Sequence, residues 1–493
     1  MISQDNYTYD DILIKPQYSE INSRKSISLQ NKLTKKITLQ LPIISSNMDT
    51  ITEDTMAIEM AKLGGLGIIH RYCSIEQQVE MVKKVKRYTN WIIKNPYTVS
   101  YNTFMHEVIY IMKKNKIKSL LVVDNDKKLC GIITNRDIIK YYSSPVKENV
   151  KKYLQVHQWM EKDLITITEK KLNEINRNIT EIIYLLTTNK IQKLPVVNKE
   201  NEIKGLITLK DMLDRTNQEF KSKANLDENS QLRVGCAIGV NKDYLDRAKA
   251  VIKAGCDIIC IDIAHGHHKL CGDTVKHLKR LYPKIDIIAG NVCTAKGTKY
   301  LIDCGADCIK VGIGPGSICI TRKQTGCGSP QFSAVLECAK VAKKMGVTVI
   351  ADGGHNGTIG NIFKALCAGA CASMLGGMLS GTLETPGPIY TRLNKKVKQI
   401  RGMAGILSNY HKSSKLGEDT SFLEKITPEG VEGYVPYKGP VKDILQQIEG
   451  GIRSGLSYVG CPSLYKLKDK KINFLVITNN GYRESGSHNI QEI

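Results

Sequence analysis

The sequence predicts an α/β fold, a closed (β/α)8 TIM barrel with an inserted module, from three observations. Eight short apolar runs recur along the chain, and amphipathic, helix-like stretches separate most of them. Three joints repeat one pattern, in which a glycine ends a helix and a buried strand follows. One interval of the chain breaks this alternation and carries its own internal repeat. Continuous apolar strands that alternate with helices favour a parallel sheet, and eight of them favour a closed barrel.

The predicted elements are placed by these apolar runs and their polar or glycine ends. The expected strands are 41–48, 65–70, 234–239, 257–264, 286–292, 308–314, 348–354 and 372–378. The helix-to-strand joints are 254–257, 304–307 and 368–371. The alternative is an open doubly wound sheet. Against that alternative, no Gly-x-Gly-x-x-Gly motif follows the first strand.

Length and composition limit the class of protein. The chain has 493 residues, of which 42% are hydrophobic, which is enough for a large core and too much for a disordered chain. No apolar run approaches the roughly 20 residues that span a bilayer, and the polar start is not a signal peptide. The 15 cysteines show no metal-ligand spacing. We therefore expect reduced thiols, a cytoplasmic location and no membrane partner.

The formal net charge of +23 admits two interpretations. One is nucleic-acid binding. The other is a lysine-rich composition spread over solvated faces, which fits better because the lysines occur singly or in pairs and no basic run is interleaved with the 22 tyrosines. We expect no nucleic-acid partner, although a basic surface suits anionic ligands such as nucleotides.

Residues 91–224 form the predicted insertion, between barrel segments 1–90 and 225–493. Within it, 121–124 and 131–137 recur as 195–198 and 205–211, at a constant offset of 74 residues. Each copy resembles a CBS domain, and tandem CBS pairs often bind adenosine or guanosine nucleotides. A dimerisation module with empty sites is the alternative. The resemblance implies that regulatory purine nucleotides would be held through their ribose hydroxyls by Thr134, Asp137, Thr208 and Asp211.

The segment after the sixth predicted strand carries the candidate nucleophile. It reads Gly-Ile-Gly-Pro-Gly-Ser-Ile-Cys-Ile-Thr-Arg over 312–322. Catalytic groups of such barrels lie at the carboxyl ends of the strands. The glycines free the backbone to approach a phosphate or an ion, and Ser317 adds a hydroxyl donor. Cys319 lies in this loop and is a candidate nucleophile as a thiolate, although most cysteines in a chain with fifteen are structural.

Two glycine pairs follow the last two predicted strands. Gly353 and Gly354 come after Asp352, and Gly376 and Gly377 end the eighth run. Such pairs form a cradle of amide donors for phosphate, and the Asp352 carboxylate can accept both hydroxyls of a ribose. Three glycine loops on successive strands predict a phosphorylated ligand.

With these motifs in place, the chain resembles the IMP dehydrogenase/GMP reductase family over nearly its whole length. The motifs that carry the resemblance are 47–50, 262–266, 289–292, 312–322, 352–354, 401–403 and 429–430. The resemblance implies that the Cys319 thiolate adds to C2 of a purine nucleotide. A dehydrogenase then passes hydride from IMP to NAD⁺ and hydrolyses the intermediate to XMP. A reductase expels ammonia from GMP and takes hydride from NADPH to give IMP.

The segment 404–438 decides our expectation between the two reactions. In family dehydrogenases an Arg-Tyr pair on this mobile flap activates water, but the corresponding positions here hold Gly417 and Glu418. We therefore expect an NADPH-dependent GMP reductase. Asn47 and 325–331 also resemble the reductases, whereas 264–267 and the CBS insertion resemble the dehydrogenases. An NAD-dependent IMP dehydrogenase is the alternative, and a non-catalytic nucleotide-sensing or nucleic-acid-binding protein is a second one.

The resemblance implies the remaining roles. The catalytic set is Cys319, Thr321 and Glu429. The substrate-binding set is Asn47, Met48, Gly316, Ser317, Asp352, Gly353, Gly354, Gly376, Gly377, Gly402, Met403 and Gly430. The cofactor-binding set is Arg71, Asp262, Asn291, Gly312 and Gly314.

A K⁺ or other monovalent-cation site is also implied. Its ligands would be the carbonyls of Gly314, Gly316 and Cys319, with Glu484 and Ser485 of a neighbouring subunit. The chain departs from the family at Gly486, where a histidine is usual, and at Ile400, where an aromatic residue is usual. A homotetramer is implied, with an octamer formed through the CBS modules as the larger assembly.

Overall fold

The computed structural model describes residues 6–88, 92–93, 95–115, 117–174, 179–216, 222–241, 243–405, 408, 410 and 427–487. The chain divides into two compact units. The first comprises Met1–Lys86 and Ser222–Ile493, and the second comprises Arg87–Lys221.

The first unit contains a closed barrel of eight parallel strands, so the predicted fold is confirmed and the open sheet is wrong. The strands in chain order are Ile43–Ser45, Leu66–Ile69, Gly235–Ile238, Ile258–Asp262, Asp286–Val292, Cys308–Val311, Thr348–Asp352 and Ala372–Leu375. Each pairs with the next, and the eighth pairs with the first. Several strands end earlier than the apolar runs predict. The sixth, for example, ends at Val311 because Gly312 and Gly314 take φ values of +149° and +79° and turn the chain out of the sheet.

A helix follows every strand of the barrel. These helices are Asp54–Lys62, Ile75–Tyr88, Tyr244–Lys253, Lys269–Leu281, Ala295–Asp303, Gln331–Lys344, Ile359–Cys367 and Val441–Tyr458. The predicted glycine joints follow three of them: Gly255, Gly305 and Gly369 have φ values of +102°, +104° and +106°. A left-handed glycine after the last helical residue ends the helix and turns the chain into the next strand.

The amino end of the barrel is closed by a hairpin, Asn31–Lys32 with Thr38–Leu39. Its Leu33, Ile37 and Leu39 belong to the same buried cluster as interior strand residues such as Ile258 and Ile350. Apolar side chains therefore fill this end, and the polar groups of the interior are left at the carboxyl end of the strands.

Additional elements surround the barrel. Beyond the eighth strand, Tyr390–Arg392, Lys395–Arg401 and Glu432–Pro436 form an antiparallel sheet. Near the termini, Ile12–Ile14 pairs with Phe474–Val476. The short helices of this unit are Arg24–Ser26, Thr321–Thr325, Leu464–Leu467 and Asn479–Glu484.

The second unit repeats one supersecondary pattern. Hairpins Ser119–Val123/Leu129–Thr134 and Lys193–Val197/Ile203–Thr208 share the 74-residue offset of the sequence repeat, including a register shift after Val122 and after Val196. The remaining strands are Ile92–Ile93, Thr98–Ser100 and Ile167–Thr168. The helices are Met105–Lys114, Asn135–Tyr142, Glu148–Lys151, Val156–Gln158, Glu169–Glu174, Ile179–Thr188 and Leu209–Thr216. The assignment of this unit to tandem CBS domains stays a prediction.

Across the described ranges, no helix combines the length and the apolar character that a membrane crossing requires.

Candidate functional site

Cys319 lies at the carboxyl end of the barrel, in the loop between the sixth strand and the helix Thr321–Thr325. Its partly buried Sγ is 3.2 Å from Thr321 Oγ1, and Thr321 Oγ1 donates to Glu429 Oε2 at 2.8 Å. The three residues predicted as catalytic therefore form one hydrogen-bonded chain that ends at a carboxylate.

Backbone pairing brings Glu429 to this loop from a position 108 residues beyond Thr321. The Ile320 amide donates to the Glu429 carbonyl at 2.8 Å, and the Val431 amide donates to the Ile318 carbonyl at 2.9 Å. The two segments thus run antiparallel around Cys319. Because this pairing fixes the backbone on both sides of the carboxylate, Glu429 is held against Thr321 rather than left in solvent.

The glycine loops after strands six, seven and eight meet in space. A Cβ on Gly377 would lie 2.6 Å from Ser317 Oγ, and one on Gly353 would lie 3.3 Å from the Gly316 amide nitrogen. The loop of Gly316 and Ser317 therefore packs against both glycine pairs. Such close backbone packing is possible only without side chains, and it gathers amide donors and one hydroxyl at a single place, which suits a phosphate.

The purine-side residues of the prediction lie around the same loop. A Cβ on Gly402 would lie 2.9 Å from Gly430 Cα, and one on Gly376 would lie 3.2 Å from Met48 Sδ. Met403 follows Gly402 directly. Tyr72 Oη donates to the Met403 carbonyl at 2.8 Å.

The same segment is also fixed by an ion pair that sequence reasoning missed. Arg401 Nη2 lies 2.6 Å from Asp49 Oδ2, which joins the segment before Gly402 to the loop after the first strand.

Burial raises the pKa of Tyr72 to about 12, so its hydroxyl remains a donor to the Met403 carbonyl over the ordinary pH range.

A chain of charged side chains crosses the carboxyl end of the barrel. Asp352 Oδ2 accepts from Asn291 Nδ2 at 2.8 Å and from Lys310 Nζ at 3.1 Å. Lys310 Nζ is also 3.7 Å from Asp262 Oδ1, and Asp262 Oδ2 is 3.3 Å from Arg71 Nε. Lys310, which the sequence analysis missed, thus connects the predicted ribose ligand to the predicted cofactor side. Its only sequence signal is a lysine inside an apolar strand.

Neighbouring charges keep Lys310 and Asp262 ionised. Burial lowers the pKa of Lys310, but the neighbouring Asp352, Cys260 and Asp262 outweigh it and raise that pKa above its ordinary value. Burial raises the pKa of Asp262, but Lys310 and Arg71 outweigh it and lower that pKa, with help from a hydrogen bond to Asn47. The Asp262 carboxylate is therefore available as an acceptor at neutral pH.

One acceptor of this cluster has no partner within the described part of the chain. Asn291 Oδ1 is buried without a hydrogen-bond donor. Gly312 supplies only its carbonyl, which accepts from Asn291 Nδ2 at 2.7 Å. Arg71 adds a cation to this side. These acceptors and the Arg71 cation fit a nucleotide cofactor, which carries ribose hydroxyls, an amide and phosphates.

The residues predicted as cation ligands lie in two parts of the first unit. The Gly316 carbonyl, a predicted cation ligand, accepts from the Cys319 amide at 3.0 Å, and Gly314 turns the chain two residues earlier. Glu484 and Ser485 lie in and just after the exposed helix Asn479–Glu484, where Ser485 Oγ donates to the Gly481 carbonyl. The cation site was predicted between subunits, so it stays a prediction.

The predicted regulatory residues occupy helix starts in the second unit. The Thr134 amide and hydroxyl donate to Asp137 Oδ2 at 3.0 and 2.6 Å, which caps the helix Asn135–Tyr142. Thr208 precedes the equivalent helix Leu209–Thr216, and the side chain of Asp211 is outside the described residues.

Two further predictions concern the flap and its flanks. Gly417 and Glu418 are outside the described residues. Ile400 lies buried in the core beside the helix Val441–Tyr458.

Known proteins match this chain over nearly its full length. The model of the "IMP dehydrogenase / GMP reductase domain" family matches residues 6–488. An inosine-5'-monophosphate dehydrogenase of Aquifex aeolicus is 44% identical over 99% of this chain and 96% of its own, and a GMP reductase of Leishmania donovani is 43% identical over 99% and 97%.

Among solved structures, a cysteine-to-alanine variant of Trypanosoma brucei GMP reductase in complex with guanosine 5'-monophosphate superposes with a TM-score of 0.87, at 40% identity and 99% coverage of both chains. The same enzyme in complex with guanosine 5'-triphosphate gives a TM-score of 0.78, at 35% identity and coverage of 97% of this chain and 99% of that one. The family is one of oxidoreductases that use nicotinamide nucleotides. The chain belongs to the IMP dehydrogenase/GMP reductase family.

Proposed function

We propose that this protein is a GMP reductase, which converts GMP to IMP and ammonia with NADPH as the reductant. The observation that carries the proposal is the chain from Cys319 Sγ through Thr321 to Glu429, set beside three converging glycine loops. The absence of an Arg-Tyr pair at 417 and 418 favours the reductase over a reaction that must activate water. The likeness to GMP reductases of L. donovani and T. brucei supports the same direction.

The hydrogen bonds define how the thiol would lose its proton. The Thr321 hydroxyl has one proton, and it is donated to Glu429 Oε2. A protonated Cys319 thiol must then be the donor to Thr321 Oγ1. The proton can therefore pass from sulfur through Thr321 to the Glu429 carboxylate, which leaves a thiolate as the nucleophile.

The freed thiolate would form a sulfur–carbon bond at C2 of GMP. The proton on Glu429 can return through Thr321 to the departing amino group, since ammonia leaves far more readily than an amide anion. The result is a Cys319 thioimidate. One carboxylate thus serves as base for the thiol and as acid for the leaving group.

NADPH supplies the hydride that reduces C2 of this intermediate, after which the carbon–sulfur bond breaks and IMP is released. Overall, GMP, NADPH and two protons become IMP, NADP⁺ and ammonium. Arg71, Asp262 and Asn291 would hold the cofactor, and the Arg71 cation suits a ribose phosphate.

The nucleotide would bind across the glycine loops. Gly316, Ser317, Gly353, Gly354, Gly376 and Gly377 would hold its phosphate through amide and hydroxyl donors. Asp352, oriented by Lys310 and Asn291, would accept the ribose hydroxyls. Met48, Gly402, Met403 and Gly430 would line the purine, with Asn47 beside them.

The proposal is tested by measuring two turnovers on one preparation, GMP with NADPH and IMP with NAD⁺. Loss of NADPH absorbance with equal release of ammonia is the expected result. A folded preparation that consumes no NADPH over hours would reject the reductase. The Cys319→Ala variant should abolish turnover, which also separates an enzyme from a protein that only binds nucleotides.

IMP dehydrogenase is the second candidate. It is favoured by the similarity to the A. aeolicus enzyme and by the dehydrogenase-like sequence Ala-His-Gly-His at 264–267. Steady formation of XMP from IMP and NAD⁺ would establish it. A single burst of NADH without turnover would speak for the reductase, because no residue then hydrolyses the intermediate.

Assembly and regulation extend the proposal. We propose that regulatory purine nucleotides bind the second unit at Thr134, Asp137, Thr208 and Asp211. The T. brucei relative was solved in complex with guanosine 5'-triphosphate, which makes this nucleotide the first one to test. We further propose a homotetramer, an octamer as the larger assembly, and activation by K⁺. Sedimentation and turnover with and without GTP, and with K⁺ replaced by Na⁺, test these points.

A further inference from the structure

Arg322 ties together the two ends of the segment that carries Cys319. Its Nε donates to the Ile313 carbonyl at 3.1 Å, and its Nη2 donates to the Ser329 carbonyl. Ile313 precedes the nucleophile and Ser329 follows the short helix after it. One guanidinium therefore spans the whole segment, and its rigid fork fixes both carbonyls in a way that a lysine cannot.

The backbone is shaped around this arginine. Gly314 and Gly328 have φ values of +79° and +152°. A Cβ on Gly314 would lie 2.5 Å from Arg322 Cγ, and one on Gly328 would lie 2.6 Å from the same atom. The arginine stem thus passes between two glycines, and no side chain larger than hydrogen fits at either without a shift.

Arg322 also fixes the residue that contacts the nucleophile. Because Arg322 directly follows Thr321 at the start of the helix Thr321–Thr325, the two carbonyl bonds also fix the turn that presents the Thr321 hydroxyl.

We propose that Arg322 is a positioning residue, which holds the loop so that Cys319 Sγ stays in contact with Thr321 and remains reactive. Its effect on turnover rests on the proposed function. Its effect on the reactivity of the thiol does not, since Cys319 can be alkylated without any nucleotide.

The test compares Arg322→Lys and Arg322→Met with the wild type. Arg233→Met is the matched control, because Arg233 Nε donates to the Leu226 carbonyl at 2.9 Å just before the third barrel strand. The alkylation rate of Cys319 by iodoacetamide is followed by peptide mass spectrometry, together with kcat and KM for GMP.

Arg322→Met should slow alkylation and should lower kcat about 100-fold, the usual effect of misplacing a reacting group by about 1 Å, while KM changes less. Arg322→Lys keeps the positive charge but cannot donate to both carbonyls at once. It should therefore restore only part of the alkylation rate and part of kcat. The control should match the wild type.

The proposal is overturned if Cys319 is alkylated at the wild-type rate in Arg322→Met, or if Arg322→Lys retains full kcat and full alkylation. If Arg322→Met does not fold, the lysine variant decides. If the wild type turns over neither GMP with NADPH nor IMP with NAD⁺, the proposed function fails. The alkylation rates of Cys319 still test the positioning role of Arg322 in that case.

Discussion

Replacing Glu429 by glutamine tests the proton path at its end. Glu429 Oε2 accepts the only hydroxyl proton of Thr321 at 2.8 Å, and glutamine can offer an amide oxygen at the same place. The hydrogen bond and the loop pairing should therefore survive, but the side chain can no longer take up a proton. The variant removes acid–base chemistry while it leaves the geometry intact.

The size of the effect follows from that separation. General acid–base catalysis contributes about 100- to 10,000-fold, which corresponds to about 3 to 5 kcal/mol of transition-state stabilisation. We expect kcat for GMP reduction to fall within that range. KM for GMP should change little, since the Glu429 side chain bonds to Thr321 and not to the glycines proposed to hold the phosphate.

A second variant makes the test sharper. Thr321→Val removes the hydroxyl between sulfur and carboxylate, so it interrupts the same path at another point. Because both changes disable one unit, the double variant should be about as slow as the slower single variant, and not slower by the product of both effects. Each rate is measured as loss of NADPH absorbance with excess GMP.

Glu337→Gln is the matched control. Glu337 Oε1 accepts from the Ala295 amide at 2.7 Å on the exposed side of an outer helix, so its turnover should equal that of the wild type. The reasoning is refuted if Glu429→Gln lowers kcat less than about tenfold, or if the two single effects multiply in the double variant.

Three further predictions concern stability and binding. Burial lowers the pKa of His355 from 6.5 to about 4, so between these pH values the unfolded chain binds a proton that the folded chain does not. The free energy of unfolding should therefore fall by about 2 kcal/mol from pH 7 to pH 5. In urea unfolding, His355→Gln should reduce this loss. Gly377→Ala places a Cβ 2.6 Å from Ser317 Oγ, in the loops proposed to hold the phosphate, and should raise KM for GMP about tenfold. An unchanged KM would mean that the phosphate binds elsewhere. Tyr72→Phe removes the 2.8 Å hydrogen bond to the Met403 carbonyl and should raise KM for GMP about fivefold, with no effect if that carbonyl does not shape the purine pocket.

The barrel could be predicted from the sequence because its signals are local. Buried parallel strands are apolar throughout, and a left-handed glycine ends the preceding helix, as at Gly255, Gly305 and Gly369. The strand ends were predicted less well. In the sixth strand the apolar run continues past Val311, and only the positive φ of Gly312 shows where the sheet stops.

The site was predictable where its residues are neighbours in the chain. Cys319 and Thr321 share one loop, and the glycine pairs follow adjacent strands. Glu429 is 108 residues from Thr321, and only the family resemblance assigned it to the site. Two other pairs between distant segments were missed, namely Tyr72 with Met403 and Arg401 with Asp49, which are 331 and 352 residues apart. Nothing in the local pattern at either end of such a contact indicates its partner.

Lys310 was missed for a different reason. A lysine in a continuous apolar strand looks like an interruption, and a buried ammonium is costly unless carboxylates compensate it. The compensation comes from Asp352 on the seventh strand and Asp262 on the fourth, which only the closed barrel brings together.

The position of Lys310 gives the two halves of the site a common element. The apolar hairpin fills the amino end of the barrel, so the lysine can reach its partners only at the carboxyl end, between Asp352 and Asp262. Asp352 belongs to the proposed nucleotide side and Asp262 to the proposed cofactor side. Lys310 Nζ is 3.1 Å from Asp352 Oδ2 and 3.7 Å from Asp262 Oδ1, so one buried ammonium compensates the charges of both carboxylates, and the two proposed sides of the site depend on the same side chain.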